Sequence, residues 1–328
     1  MGNQDRSESS KEGKYIASID LGSHTARFLV CKIFKPPVLL RPIARKRFYT
    51  NLAKGFNQEG TGVINPDSFE RAVRAIEDFI KMADGYSVQK ILGAATGILR
   101  RAENSQDLLN EIKTRTGVEI EIVSGEDEAE ITLKGIFYAL GLSDYPDAFF
   151  DLGGSTTEFI YKTGDKKRVI SLPVGALVLT DLFLKHDPPT EEEIYNLKFY
   201  IKGILSDRIV AASNNSKEFS LIGSGGTVTS LAAILMNLDK RDVNSDMING
   251  CMLAQNKILE FYGYLKPLSL SQRLKIKSID EGRAKVILAG TLAVMTIIEF
   301  FKTDNLTVSY SDILEGLIIS HLEGEKDE

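Results

Sequence analysis

Three short segments of this sequence set glycine beside serine or threonine directly after an apolar run: Asp20-Leu21-Gly22-Ser23-His24, Asp151-Leu152-Gly153-Gly154-Ser155-Thr156 and Gly223-Ser224-Gly225-Gly226-Thr227. Glycine lets main-chain amides approach an oxyanion closely, and the hydroxyls add donors, so each segment has the chemistry of a phosphate-binding turn. One such segment is equally well an ordinary Gly-Ser turn, but three in one chain argue for a ligand carrying several phosphates. Asp20 and Asp151 precede two of the turns at equivalent positions, where two carboxylates suit a hydrated magnesium ion held between phosphate groups. Glu158 follows the second turn. A carboxylate there repels a phosphate unless a cation or a proton lies between them, which favours a metal role for it. Glu126, Asp127, Glu128 and Glu130 form an acidic cluster at an expected helix start, where the macrodipole favours carboxylates whether or not they do chemistry.

Alternating strands and helices must position these groups, so the class is α/β. Tyr15 to Asp20 and Arg27 to Phe34 read as a hairpin around the first turn. Asn65-Pro66 starts an amphipathic helix, with Phe69, Val73, Ile76, Phe79, Ile80 and Ala83 at helical spacing up to Gly85. Lys90 to Ala94 reads as a short strand, Thr96 to Arg101 as the loop after it, and Val118, Ile120 and Ile122 as an alternating strand. Ser124 and Asp127 form a capping pattern for a helix that ends at Gly141. The opening pattern then returns: Ala148 to Asp151, a glycine turn, and a strand from Phe159 to Lys162, with Lys166-Lys167-Arg168 in the turn beyond it. Thr190 and Glu193 cap a long helix, and Phe219 to Ile222 feeds the third glycine segment at a helix start, a natural anion pocket. The chain therefore reads as two related α/β halves flanking a cleft. The boundaries fall at a polar, disordered leader over 1–13, a first half over 14–127 joined by a C-terminal helix over 310–328, and a second half over 128–309.

A chain of 328 residues, 43% hydrophobic, can bury a substantial core. No uninterrupted apolar run reaches the length expected of a membrane span and no signal-peptide pattern opens the chain, so a cytoplasmic, membrane-free location is the expectation. Cys31 and Cys251 sit in apolar runs and read as reduced, buried thiols. The histidines, His24, His186 and His321, are too scattered for a zinc site. A net charge of -5 argues against a nucleic-acid partner, so any polyanion must be held by local positive charge and metal.

Taken together, IASIDLGSHTARFLV, AATGILRRAEN, VSGEDEAE, DLGGSTTEF, LPVGA, GSGGT and EGRAKVILAG resemble the actin, sugar-kinase and heat-shock-chaperone superfold. Within that superfold the chain is similar to the exopolyphosphatase and guanosine-pentaphosphate phosphohydrolase family. The likeness runs over nearly all the chain from Tyr15. It implies two actin-like, ribonuclease-H-like domains around a cleft and hydrolysis of a terminal phosphoanhydride in polyphosphate or guanosine pentaphosphate. It implies Glu128 as the water-activating base, Glu158 as a second essential carboxylate that orients water or binds metal, and Arg100 with Thr96 as phosphate contacts. Arg100 would grip phosphate oxygens in bidentate fashion, with Arg101 its decoy. Arg27 matches an arginine common after the first turn and equally suits bracing the hairpin. The cofactor expected is Mg2+, with a monovalent cation such as K+ as a further candidate, and a second copy of the chain is kept as a candidate partner.

The chain departs from the family pattern at His24, where asparagine is usual, at Asn51, where arginine is frequent, and at Lys285, where aspartate is often found. The departures keep a non-hydrolytic sensor of guanosine tetra- or pentaphosphate in view. An actin-like ATPase is the other alternative, although GEDEAE replaces the Glu-Pro motif usual before the second loop in that class. The basic runs Arg45-Lys46-Arg47 and Lys166-Lys167-Arg168 read as solvated faces in preference to a polyphosphate track.

Overall fold

The computed structural model describes residues 13–34, 39–56, 62–164, 166–210 and 219–327. The expected leader over 1–13 lies outside these residues except for Gly13. The chain begins with β1 (Lys14–Leu21), β2 (Thr25–Phe34) and β3 (Leu39–Tyr49). There follow α1 (Pro66–Gly85), β4 (Lys90–Ala95), α2 (Ser105–Thr116), β5 (Glu121–Ile122) and α3 (Gly125–Leu140). The five strands form one sheet in the order β3-β2-β1-β4-β5, with β1 antiparallel to β2 and parallel to β4.

The second sheet repeats this plan. β6 (Ala148–Leu152), β7 (Thr157–Thr163) and β8 (Lys166–Leu172) lead through α4 (Ala176–Phe183) and α5 (Glu191–Arg208) to β9 (Leu221–Ser224). Next come α6 (Gly226–Leu235), α7 (Ser245–Ile248), β10 (Met252–Ala254), α8 (Gln255–Leu265), α9 (Leu270–Arg273), α10 (Glu281–Phe301), β11 (Asn305–Val308) and α11 (Ile313–Asp327). The strand order is β10-β11-β9-β6-β7-β8, with β6 antiparallel to β7 and parallel to β9. β1 and β6 thus occupy matching places, each ending next to an aspartate and a glycine turn.

Local chemistry explains the element starts. The Asn65 side chain accepts from the Ser68 amide with Pro66 at the first position of α1, Ser124 accepts from the Asp127 amide at α3, and Thr190 with Glu193 closes a reciprocal capping box at α5. Three parts of the fold depart from the pattern read in the sequence. β3 has mostly exposed or half-exposed residues, several of them arginine and lysine, and charge of this kind is how edge strands avoid further pairing; it erases the apolar alternation. β8 begins at Lys166, so the second basic run is on a strand and not in a turn, for the same edge-strand reason. α10 is long and apolar enough by composition to cross a membrane, a possibility the run-length criterion missed because polar residues interrupt it; 83% of its apolar window is buried inside this fold.

α10 runs through the core of the second half, where Ile287, Leu288, Leu292 and Ile298 meet Phe150, Phe159, Leu197 and Leu231. In the first half α1 and α2 cover β1, β2 and β4, with Phe28 and Phe79 stacked 5.0 Å apart. On the opposite face of that sheet, Leu314, Ile318 and Leu322 of α11 pack on Ile16, Leu29, Cys31 and Ile33. α11 also lies along α3, close enough that a Cβ on Gly316 would meet the Ile131 carbonyl oxygen at 1.9 Å. The last helix therefore returns to the first sheet and braces the helix that carries Glu128.

Candidate active site

The strand ends of both sheets converge on one cavity of about 560 Å³. The first two glycine turns meet there directly, Ser23 Oγ and Ser155 Oγ lying 2.6 Å apart. Gly97, at the turn after β4, completes the junction. Its φ is +63°, and a Cβ would lie 2.1 Å from Ser23 Oγ and 2.9 Å from Ser155 Oγ, so conformation and space both require glycine. Ser23 Oγ also accepts the Ile98 amide at 2.9 Å.

Around this junction stand two arginines, each between two carboxylates. Arg27 meets Asp20 at 2.6 Å and 2.8 Å and Asp312 on its other side. Asp20 also receives the Thr96 hydroxyl at 3.0 Å, and Asp312 receives the Leu314 amide at 3.1 Å. Arg100 bridges Glu128 at 2.5 Å and Glu158 at 3.3 Å, and its Nη2 lies 3.4 Å from the Thr156 hydroxyl. Glu158 also accepts the Ser171 hydroxyl at 2.8 Å. Arg100 is the one side-chain donor to Glu128 among the described residues.

Burial, and after it the charge of Glu158, push the Glu128 carboxyl well above the usual range against the pull of Arg100. Glu158 is likewise raised, by burial. Asp151 is pushed up to about 7 by burial and then by Asp312, while Arg27 and the Ser224 hydroxyl at 2.7 Å draw it down. Burial is the first cause in each case, and a cation bound beside these carboxylates would offset it.

The sequence-derived residues separate into groups. Asp20, Gly22, Ser23, His24, Arg27, Thr96, Glu128, Asp151, Gly153, Gly154, Ser155, Thr156, Gly225 and Gly226 line the cavity, and Arg100 and Glu158 adjoin it through Glu128 and Thr156. Gly223 and Thr227 do not line it, contrary to the phosphate-contact reading. Gly223 points into the core, where a Cβ would meet Phe150 at 2.7 Å, and the fully buried Thr227 packs against Gly290 of α10. The alternation of β9 into α6 turns both inward and leaves Gly225 and Gly226 facing the cavity. Ser224 is also buried and reaches the site through its bond to Asp151.

Glu126 and Asp127 are exposed, and Glu130 is half-buried and paired with Lys167 at 2.5 Å. His24 is buried edge-on to Tyr49, ring centroids 5.0 Å apart. Burial and then Arg283 lower its pKa to about 4, outweighing the Gly282 backbone and the Asn51 side chain. The imidazole is therefore neutral at pH 7 and offers a phosphate no full charge. Asn51 has a φ of 53°, a conformation asparagine tolerates better than an arginine would.

Sequence reasoning missed four contributors. Asp312 lies far away in the chain and arrives only with α11. Asp280 receives the Tyr49 hydroxyl and, at 2.5 Å, Arg47, joining β3 to the start of α10. Arg283 is buried against Gly226, with burial lowering its pKa to about 10. Ser171 holds Glu158. Only Arg283 carried a signal, its place within EGRAKVILAG.

Residues 33–325 match the model of the Ppx/GppA phosphatase family. The chain is 27% identical over 322 residues to the bifunctional 3-dehydroquinate synthase/phosphatase of Fusobacterium nucleatum, an alignment that covers 94% of this chain and 47% of that protein, so the chain spans about half of that relative's length. It is 24% identical over 317 residues to exopolyphosphatase 1 of Mycobacterium leprae, covering 95% of this chain and 91% of the relative. The crystal structure of the Aquifex aeolicus Ppx/GppA family member matches with a TM-score of 0.76 and 30% identity over 95% of this chain and 98% of that one. The architecture is the two-domain actin-like α/β fold of that structure.

Proposed function

Because this chain belongs to the Ppx/GppA phosphatase family, we propose that it hydrolyses the terminal phosphoanhydride bond of inorganic polyphosphate or guanosine pentaphosphate, with Glu128 taking the proton from the attacking water. The observation that carries this reading is the arrangement of Glu128, Arg100 and Glu158 beside two touching Gly-Ser turns. A carboxylate whose pKa is raised by burial is, in its ionised form, a stronger base than an ordinary glutamate. The exopolyphosphatase name of a relative aligned over most of both chains supports polyphosphate as a substrate.

In this reading the terminal phosphoryl group sits against the turn amides and the Ser23, Ser155 and Thr156 hydroxyls. Arg100 leaves part of its hydrogen bonding to Glu158 in order to grip a phosphate oxygen. Water attacks phosphorus, its proton passes to Glu128, the bond to the bridging oxygen breaks, and the shortened chain departs with the negative charge. Positioning and electrostatics lower the barrier, and no covalent intermediate is required.

Asp20, Asp151 and Glu158 offer hard oxygen donors of the kind magnesium prefers, and burial followed by the neighbouring Asp312 displaces Asp151 upward, a cost that a cation would relieve. Among the described residues no three His, Cys, Asp or Glu side chains gather as a protein-only cage. That fits an ion held by one or two carboxylates together with water and substrate phosphates. When bound it would neutralise charge on the departing phosphate chain.

The test is phosphate release by purified protein in magnesium, comparing polyphosphate, guanosine pentaphosphate and ATP, with Glu128→Ala alongside. Turnover of one of the first two, lost in a folded variant, supports the reading and names the substrate. Tight nucleotide binding with no turnover would replace it with the sensor reading.

A further inference from the structure

We propose that Ser171 is a positioning residue for this hydrolysis: it holds Glu158 so that the shared guanidinium of Arg100 stays with Glu128. The proposal rests on the reading above that Glu128 is the base.

The register of β7 and β8 sets Ser171 directly across from Glu158. The Ser171 hydroxyl donates to Glu158 Oε1 at 2.8 Å, and Arg100 reaches that same oxygen only at 3.3 Å while meeting Glu128 at 2.5 Å. Glu158 is 1% exposed, so water does not supply a missing donor. A buried carboxylate deprived of one donor draws harder on the next. Without the serine hydroxyl, Glu158 competes for Arg100, and Glu128 loses the group that fixes its orientation.

A separate contact ties Ser171 to Glu128. Gly125, the first residue of α3, lies so close that a Cβ there would meet Ser171 Cβ at 2.6 Å and Ser171 Oγ at 3.2 Å, with Arg100 Cζ at 3.9 Å. Three residues on, the same helix carries Glu128. Ser171 thus touches both the element bearing one carboxylate and the side chain of the other, and it indexes α3 against β7. Glycine at 125 lets the two approach.

The experiment is steady-state phosphate release by Ser171→Ala and Ser171→Cys, in the wild-type background and with Glu158→Gln. The cysteine variant nearly keeps the size of the side chain against Gly125 but weakens the donor. We expect kcat to fall about 10- to 100-fold in both, with KM within about twofold. In the Glu158→Gln background, Ser171→Ala should change the residual rate less than about twofold, because the group it acts on has already been altered. A wild-type kcat in the cysteine variant, or a full additional loss on top of Glu158→Gln, would overturn the proposal and leave Ser171 a packing residue. Glu128→Ala run in parallel separates the two levels: if that variant retains full turnover, the base assignment fails; if it is inactive while the Ser171 variants match wild type, only the present inference fails.

Discussion

The two hairpins that carry the first two glycine turns have the same topology and opposite electrostatics. In the first, Asp20 on β1 faces Arg27 on β2; at the matching position of the second, Asp151 on β6 faces Glu158 on β7. The first pair is compensated within the hairpin and saturated with donors, since Thr96 completes Asp20 while Asp312 completes Arg27. The second sets like charges across a ladder, a destabilising arrangement that persists where something else rewards it. Its compensation comes from outside the hairpin strands that face each other, from Arg100 for Glu158 and from Arg27 and the Ser224 hydroxyl for Asp151, and burial outweighs it, so Asp151, Glu158 and their neighbour Glu128 are all displaced upward. The compensated pair is the better brace, with Asp20 a further oxygen donor at the cavity, and the uncompensated pair has the stronger demand for a cation.

The sharpest way to break this comparison is to neutralise the second group. Glu128→Gln should lower turnover about 100- to 10,000-fold, as loss of a general base does. It should not lower the melting temperature at pH 8, because it removes an undercompensated buried charge. Phosphate release and calorimetry on the same preparation check both halves; a variant that is inactive because it is unfolded would contradict the contrast.

The brace should behave in the reverse sense. Asp312→Ala leaves Arg27 with Asp20 alone and removes the acceptor of the Leu314 amide at the start of α11. Its stability should fall by about 3 kcal/mol, read as a lower urea midpoint at unchanged slope. A loss under about 1 kcal/mol would mean that Arg27 is not the structural member of the pair.

pH separates the turns more finely. His24 has a folded pKa near 4 against an ordinary value of 6.5, so below pH 6.5 the unfolded chain binds a proton that the folded one refuses. Its contribution to stability is present above pH 6.5 and lost as pH falls toward 4, on the order of 1–3 kcal/mol. Asp151, raised from 3.8 to about 7, works oppositely: its stabilising contribution is complete below pH 4 and lost as pH rises through 7. The two nearly offset each other in the wild type. Denaturation midpoints measured from pH 4 to 8 should show His24→Asn gaining on wild type toward acid and Asp151→Asn gaining toward alkali; parallel curves would refute the assignment.

The smallest expected effect concerns the helix start behind Glu128. Ser124→Ala removes the acceptor for the Asp127 amide and should cost about 1 kcal/mol by chemical denaturation. A drop in turnover under conditions where the variant stays fully folded would show that fraying at α3 reaches Glu128.

Much of the fold was legible because it rests on local rules. The caps at Asn65, Ser124 and Thr190, the apolar periodicity of α1, and the recurrence of strand, aspartate and glycine turn are each properties of a few neighbouring residues, so they can be read along the chain. β3 and β8 were not legible, because an edge strand trades its apolar alternation for charge. The site divides in the same way. Its glycine turns and acidic candidates stand in contiguous motifs, and the family resemblance singled out Glu128 and Arg100. Which carboxylate receives which arginine depended on tertiary structure: Asp312 comes to Arg27 from 285 residues away, and Ser171 meets Glu158 through a strand register. Gly223 and Thr227 show the same limit, since a strand's pleat and the packing of α10 decide whether a glycine motif faces the cavity or the core. Composition and motif determined that this chain holds three glycine-rich turns and carboxylates beside two of them; the packing of α11, β8 and α10 decided their partners and their burial, because charge balance and burial depend on distance in space and not on separation along the chain.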